Sequence, residues 1–107
     1  MLSSDLRLLL IDQATDRLGD PLSKAALALF LRHLRRPDLD HSQWHRCDEL
    51  AASGACTHHQ ARAAAGQLVR CGLLERQSFG HLTRGSDRRY TAYRLVLPAP
   101  RQEGAAL

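Results

Sequence analysis

Lysine is almost missing from this chain: Lys24 is the only one among 15 basic residues, so its positive charge is carried by arginine. No apolar run is long enough to span a bilayer. The longest candidate, LRLLLI near the start, is far too short and runs into Asp12. No export leader is visible, which predicts a cytoplasmic protein with no membrane partner. Cysteine is scarce and odd in number, at Cys47, Cys56 and Cys71. That argues for a reducing compartment and free thiols. There is no internal repeat and no low-complexity tract. No nucleophile stands beside a base, no glycine loop is shaped for phosphate, and no carboxylates are paired for acid–base work. The expectation is therefore no enzyme and no cofactor. No ligand-binding domain accompanies the rest, so any regulation is expected from site occupancy, from a partner or from the thiols.

What remains is a chain of 107 residues, 44% hydrophobic and 24% charged, suited to one globular domain with a modest core. Its net charge of +4 is unevenly spread. Residues 1–45 hold six basic and six acidic residues; residues 46–97 hold eight arginines against four acids. A one-sided excess of this kind suits a polyanion such as DNA, because arginine neutralises phosphate and releases counterions. An arginine-rich solvated surface is the plainer alternative.

The most informative stretch is LAASGACTHHQARAAAGQLVRCGLLER, residues 50–76. Leu50, Ala51 and Ala52 close a short helix, and Ser53, Gly54 and Ala55 make a turn. Thr57 has the hydroxyl to cap a second helix. In that helix Ala61, Ala65, Leu68 and Cys71 recur at steps of four, three and three, one buried stripe. Between them stand His58, His59, Gln60, Arg62, Gln67 and Arg70, none acidic. Gly72 sits where the helix should stop, and LLERQ leaves as a strand.

Those residues resemble the helix-turn-helix of winged-helix regulators, the broad class that includes the MarR and GntR types. Leu50, Ala51, Thr57, Leu68, Gly72, Leu73, Leu74, Glu75 and Arg76 match its pattern without a gap. Two departures stand out. Gly54 lies one place early, with Ala55 in the usual glycine slot. Ala61 and Ala65 replace larger apolar residues, which predicts unusually close packing of the recognition helix. The resemblance covers about half the chain and implies a mainly α fold with a small β-hairpin wing (α+β), preceded by an additional N-terminal helix.

In chain order, Ser3, Ser4 and Asp5 can cap a first helix reaching about Leu18, with Leu6, Leu9, Leu10 and Ala14 on one face and Leu8 and Ile11 partly off it. A helix so apolar around its girth is expected to be covered on more than one side, by the core or by a second copy in a homodimer. Gly19 and Asp20 break the chain. Pro21 suits the first turn of a helix from Leu22 to about Arg35, with Ala26, Leu27, Phe30, Leu31 and Leu34 inward. Arg32, His33, Arg35 and Arg36 near its end would complement the helix dipole. A short strand is expected at Gln43 to His45, with Trp44 turned into the core. Cys47 to Ala52 begins the motif. After Gly72, strands are predicted at Leu74–Phe79 and Tyr90–Leu97, with Tyr93, Leu95 and Leu97 inward. The loop between them, GHLTRGSDRR, would be the wing, and 98–107 a disordered tail. The division is thus 1–19, 20–97 and 98–107.

By the resemblance, the recognition helix would enter the major groove of double-stranded DNA with its N-terminal residues toward the bases. Thr57, His58, His59, Gln60 and Arg62 are the candidate base-facing residues. Arg84, Arg88 and Arg89 in the wing, with His81, would follow the backbone or the minor groove. Arg70 and Arg76 are placed at the backbone or in solvent. Arginine-rich, lysine-poor composition suggests a GC-rich bacterial or phage genome, and the whole suggests a transcriptional repressor. Winged helices also serve as protein-interaction modules and in replication, plasmid or phage control. A thiol or metal sensor is a further rival, using Cys47, Cys56 and Cys71 with His41, His45, His58 and His59. It lacks a CxxC or a His-x-x-x-His on one helix face, and Cys56 and Cys71 sit at apolar positions. Cys47 with His45 would be its most exposed pair. No metal is therefore assigned.

Overall fold

A computed structural model describes residues 2–19, 22–83 and 86–97; at 81–83 and 86–89 it describes the backbone only. Asp20, Pro21, Arg84 and the expected tail at 98–107 lie outside the described residues. Within them, four helices precede or flank a three-stranded antiparallel sheet, an α+β arrangement.

Helix α1, Ser4–Asp16, starts where Ser3 accepts the Leu6 N–H at 3.1 Å. It stops two residues before the expected Leu18. Leu10 and Ala14, one turn apart, are buried, while Leu6 and Ile11 are half-buried. Leu9, expected inward, is 44% exposed, and Leu8 is 60% exposed. The helix packs mainly on one neighbour, so only a narrow stripe is covered.

That neighbour is α2, Lys24–Leu34. It begins later than the predicted Leu22, because the Ser23 hydroxyl accepts the Ala26 N–H at 3.2 Å and sets the cap. The buried face is also rotated. Leu29 and His33 join Ala26, Phe30 and Leu34 inside, and Leu27 and Leu31 are only half-buried. Two further helices press on α2 from that side: α3, Cys47–Gly54, and α4, His58–Arg70. A backbone-to-side-chain bond from Ser23 N–H to Gln67 Oε1, 2.8 Å, ties α4 to the start of α2.

Helices α3 and α4 end alike. After α3, the Cys56 N–H reaches Ala51 O and the Ala55 N–H reaches Ala52 O. After α4, the Leu73 N–H reaches Leu68 O and the Gly72 N–H reaches Val69 O. Both are Schellman closures, which need one left-handed residue. Gly72 fills that place at φ 78°, and Ala55 fills the other at φ 51°. The alanine carries a cost of roughly 1–2 kcal/mol relative to an unstrained residue. Gly54 has a different task. A Cβ there would meet Leu29 Cδ1 at 3.0 Å and Cys56 Sγ at 3.2 Å, so the missing side chain lets α2 and α3 close up. Ala61 and Ala65 are wholly buried, as close packing of α4 requires.

The sheet has the order β1-β3-β2, with β1 at His45–Arg46, β2 at Leu74–Thr83 and β3 at Ser86–Leu95. The first strand begins two residues later than expected and ends one residue later. Strand alternation then turns His45 inward, not Trp44. Trp44 is half-buried on the opposite face, edge-on to Phe79 at 5.4 Å, with the Arg94 guanidinium 4.4 Å over its ring. The hairpin is longer than its apolar pattern suggested: pairing continues from Leu74↔Leu95 to Thr83↔Ser86. The expected ten-residue loop is thus mostly strand, since a two-stranded ribbon pairs through its backbone whatever its side chains. Leu97, expected inside, is 45% exposed and lies past the end of β3. The fully buried centre is Leu10, Leu22, Phe30, Leu34, Leu50 and Leu68, between the helices and one face of the sheet.

Candidate nucleic-acid interface

The first turn of α4 is held by a reciprocal cap. The Thr57 hydroxyl accepts the Gln60 N–H at 3.1 Å, and the Gln60 carbonyl oxygen accepts the Thr57 N–H at 3.0 Å. Four orphan N–H groups at a helix start leave two so satisfied, which fixes the direction of the helix. The cap also occupies two of the candidate base-facing side chains. A bidentate contact from Gln60 to adenine would have to break its bond to Thr57. His58, His59 and Arg62 remain, all exposed, with Ala63 beside them.

His58 and Arg62, four residues apart, form one stripe, and that stripe borders a groove of about 770 Å³ between α4 and the sheet. Arg46 from β1 and Arg76 from β2 enter the same groove, as does Asp48 from the first turn of α3. Ser78, Thr91 and Tyr90 line its sheet side. Among the described residues neither Arg62 nor Arg76 has a carboxylate partner. Arg46 lies 4.0 Å over the Tyr90 ring. Two arginines elsewhere are paired, Arg36 to Asp38 at 2.5 Å and Arg94 to Glu75 at 2.6 Å. The one acid of the groove among the described residues, Asp48, meets His58 Nε2 at 3.3 Å.

Sequence reasoning placed Arg76 in solvent or at the backbone and passed over Arg46 and Asp48. A signal for Arg76 existed: in a strand opening at Leu74, residues 76 and 78 share one face. Of the residues expected in a wing, His81, Arg88 and Arg89 belong to the hairpin strands, with His81 opposite Arg88 and Gly80 opposite Arg89. Their side chains, and Arg84 altogether, lie outside what is described.

The thiol and metal reading finds little geometry. Cys47 and His45, expected exposed, are buried. Burial pushes the Cys47 thiol up, away from the reactive thiolate, although Arg62 nearby pulls the other way. No group of three or more potential ligands is poised to hold a metal among the described residues. Instead His33, His41 and His45 pack edge to face, with ring centroids 5.0 to 6.2 Å apart. They join α2, the 37–44 connection and β1. His33 Nδ1 is 2.8 Å from Ser53 Oγ, whose own proton goes to Glu49 O at 3.0 Å. Nδ1 of His45 meets the Glu49 carboxylate, and its Nε2 meets Asp40 O. Burial first, then His41, His45 and Arg36, drive His33 down to about 3. His33 is therefore neutral and structural, not the dipole-complementing cation expected at the end of α2. His41 is lowered as well, mainly by burial.

The chain matches no family model, and no curated protein or solved structure matches it. None of the described helices is long and apolar enough to cross a membrane.

Proposed function

We propose that this chain is a winged helix-turn-helix protein that binds double-stranded DNA at a particular sequence and regulates transcription, repressing by occupying its site. One observation carries the reading: α4 begins in a rigid cap and presents His58, His59 and Arg62 outward with no acid among them. Such a helix start can reach base edges in the major groove, where arginine pairs with guanine and each good contact discriminates by roughly 1–3 kcal/mol. The resemblance of residues 50–76 to winged-helix regulators, and the basic hairpin that follows, support the same assignment. Exposed Leu8 and Leu9 on α1 favour a homodimer, which would set two recognition helices about 34 Å apart, one turn of DNA. Selection from random duplex DNA tests the proposal. The wild type should enrich a defined site, Arg62→Ala should relax preference at one position, and Arg88→Ala should weaken all sites alike. Absence of any enriched sequence with the wild type would sink it.

A further inference from the structure

We infer that the groove between α4 and the sheet seats the phosphodiester backbone of one DNA strand, with Arg46 and Arg76 as its cations, Arg62 at its rim where the base-facing stripe of α4 begins, and Asp48 as the carboxylate that limits their pull. The inference rests on the DNA reading above and adds where the backbone lies and what tempers its attraction.

The three guanidiniums come from β1, α4 and β2, so the fold itself fixes their convergence. Arg62 and Arg76, neither with a carboxylate partner among the described residues, share one groove. Like charges kept together repel, and a polyanion laid between them relieves that repulsion. Ser78 and Thr91 stand opposite each other in the β2–β3 register on the groove wall. Hydroxyls of this kind donate to phosphate oxygens and fix register without reading sequence. The groove is continuous with the outward stripe of α4, because His58 and Arg62 belong to both. An acidic peptide would also be drawn to the arginines, but the adjoining basic helix start favours a duplex.

Asp48 has a distinct part. It is the sole carboxylate of the groove among the described residues, its side chain is largely exposed, and it holds His58 at 3.3 Å. It lowers the positive potential felt by any polyanion, so it limits binding to unselected DNA.

The test uses the full chain and a fluorescent duplex carrying the selected site, beside one of unrelated sequence. Affinities are measured by anisotropy between about 50 and 300 mM salt. Arg46→Gln and Arg76→Gln should each weaken both duplexes by the same factor and lower the slope of log affinity on log salt by about one. Arg76→Lys should restore the slope. Asp48→Asn should strengthen both duplexes equally. Thermal melts verify that each variant is folded. DNA binding with wild-type slopes in both glutamine variants would overturn the seat and leave the DNA reading standing. An unchanged affinity in Asp48→Asn would remove the role given to that residue. Failure of the wild type to bind either duplex would overturn both readings, and capture of a polyglutamate peptide through the same arginines would reassign the groove to a protein.

Discussion

Acid should unfold this protein earlier than its carboxylates alone require, and His33 is the reason. Its imidazole is 3% exposed and is held down to about 3, against an ordinary value of 6.5. The folded state therefore binds its proton far more weakly than the unfolded chain does. The sign follows from linkage: His33's stabilising contribution is fully present above pH 6.5 and is lost as pH falls from there toward 3. At pH 5 the unfolded chain has gained about 1.5 pH units of protonation at this residue, worth about 2 kcal/mol. That figure does not depend on the exact folded value, provided it lies well below pH 5. Two kcal/mol is a large share of the stability of a small domain. His41, lowered in the same direction, adds to the loss. Urea melts followed by helical circular dichroism at pH 7, 6 and 5 give the stability at each pH. His33→Gln keeps an amide near Ser53 and removes the titration. The wild type should lose about 2 kcal/mol more than this variant between pH 7 and 5. Parallel losses in the two proteins would refute the reasoning, because His33 would then be no more protected from protons when folded than when unfolded.

Four further outcomes follow from the helix ends and the aromatic face. Ala55→Gly should stabilise the chain by about 1 kcal/mol in the same melts, since glycine adopts the left-handed closure without strain. Gly54→Ala, one residue earlier, should destabilise it by about 1–3 kcal/mol, because the new methyl must displace Leu29; a neutral result would show that α2 and α3 have slack between them. Thr57→Ala should cost about 1 kcal/mol and speed amide exchange in the first turn of α4. Trp44→Ala should speed exchange along β2 and β3 near Phe79 and Tyr90, while the amides of α4 keep their protection.

Much of the arrangement was legible where one residue type has one physical use. Thr57 with Gln60 three residues on, Gly72 before a hydrophobic strand, and the small residues Ala61 and Ala65 each dictate local structure. Long-range effects were not legible. Nothing local says that Leu29 rather than Leu31 faces inward, because that depends on where α3 and α4 press. Period two can begin on either parity, so the sequence alone turns Trp44 inward where the structure turns His45. The histidine cluster was hidden for a related reason: His33, His41 and His45 are scattered polar residues in sequence and become one buried contact only through tertiary packing. The groove was half legible. Arg62 stands on a readable helix face, whereas Arg46 ends the two-residue strand β1 and Asp48 stands in the first turn of α3, elements too short for the sequence pattern to say which way a charge points.

The order of the strands sets a timetable for folding. Among the described residues β3 is the last strand in the sequence and the middle one in space. His45 waits for Tyr93 and Leu74 waits for Leu95 before either edge can pair. As a ribosome delivers the chain, the four helices can gather while both edge strands are still without a neighbour. Closure of the β2–β3 hairpin is local, so the docking of β1 on β3 is the nonlocal event, and a chain that has emerged only as far as about residue 85 would hold a helical body with two open edges, the state most exposed to mispairing.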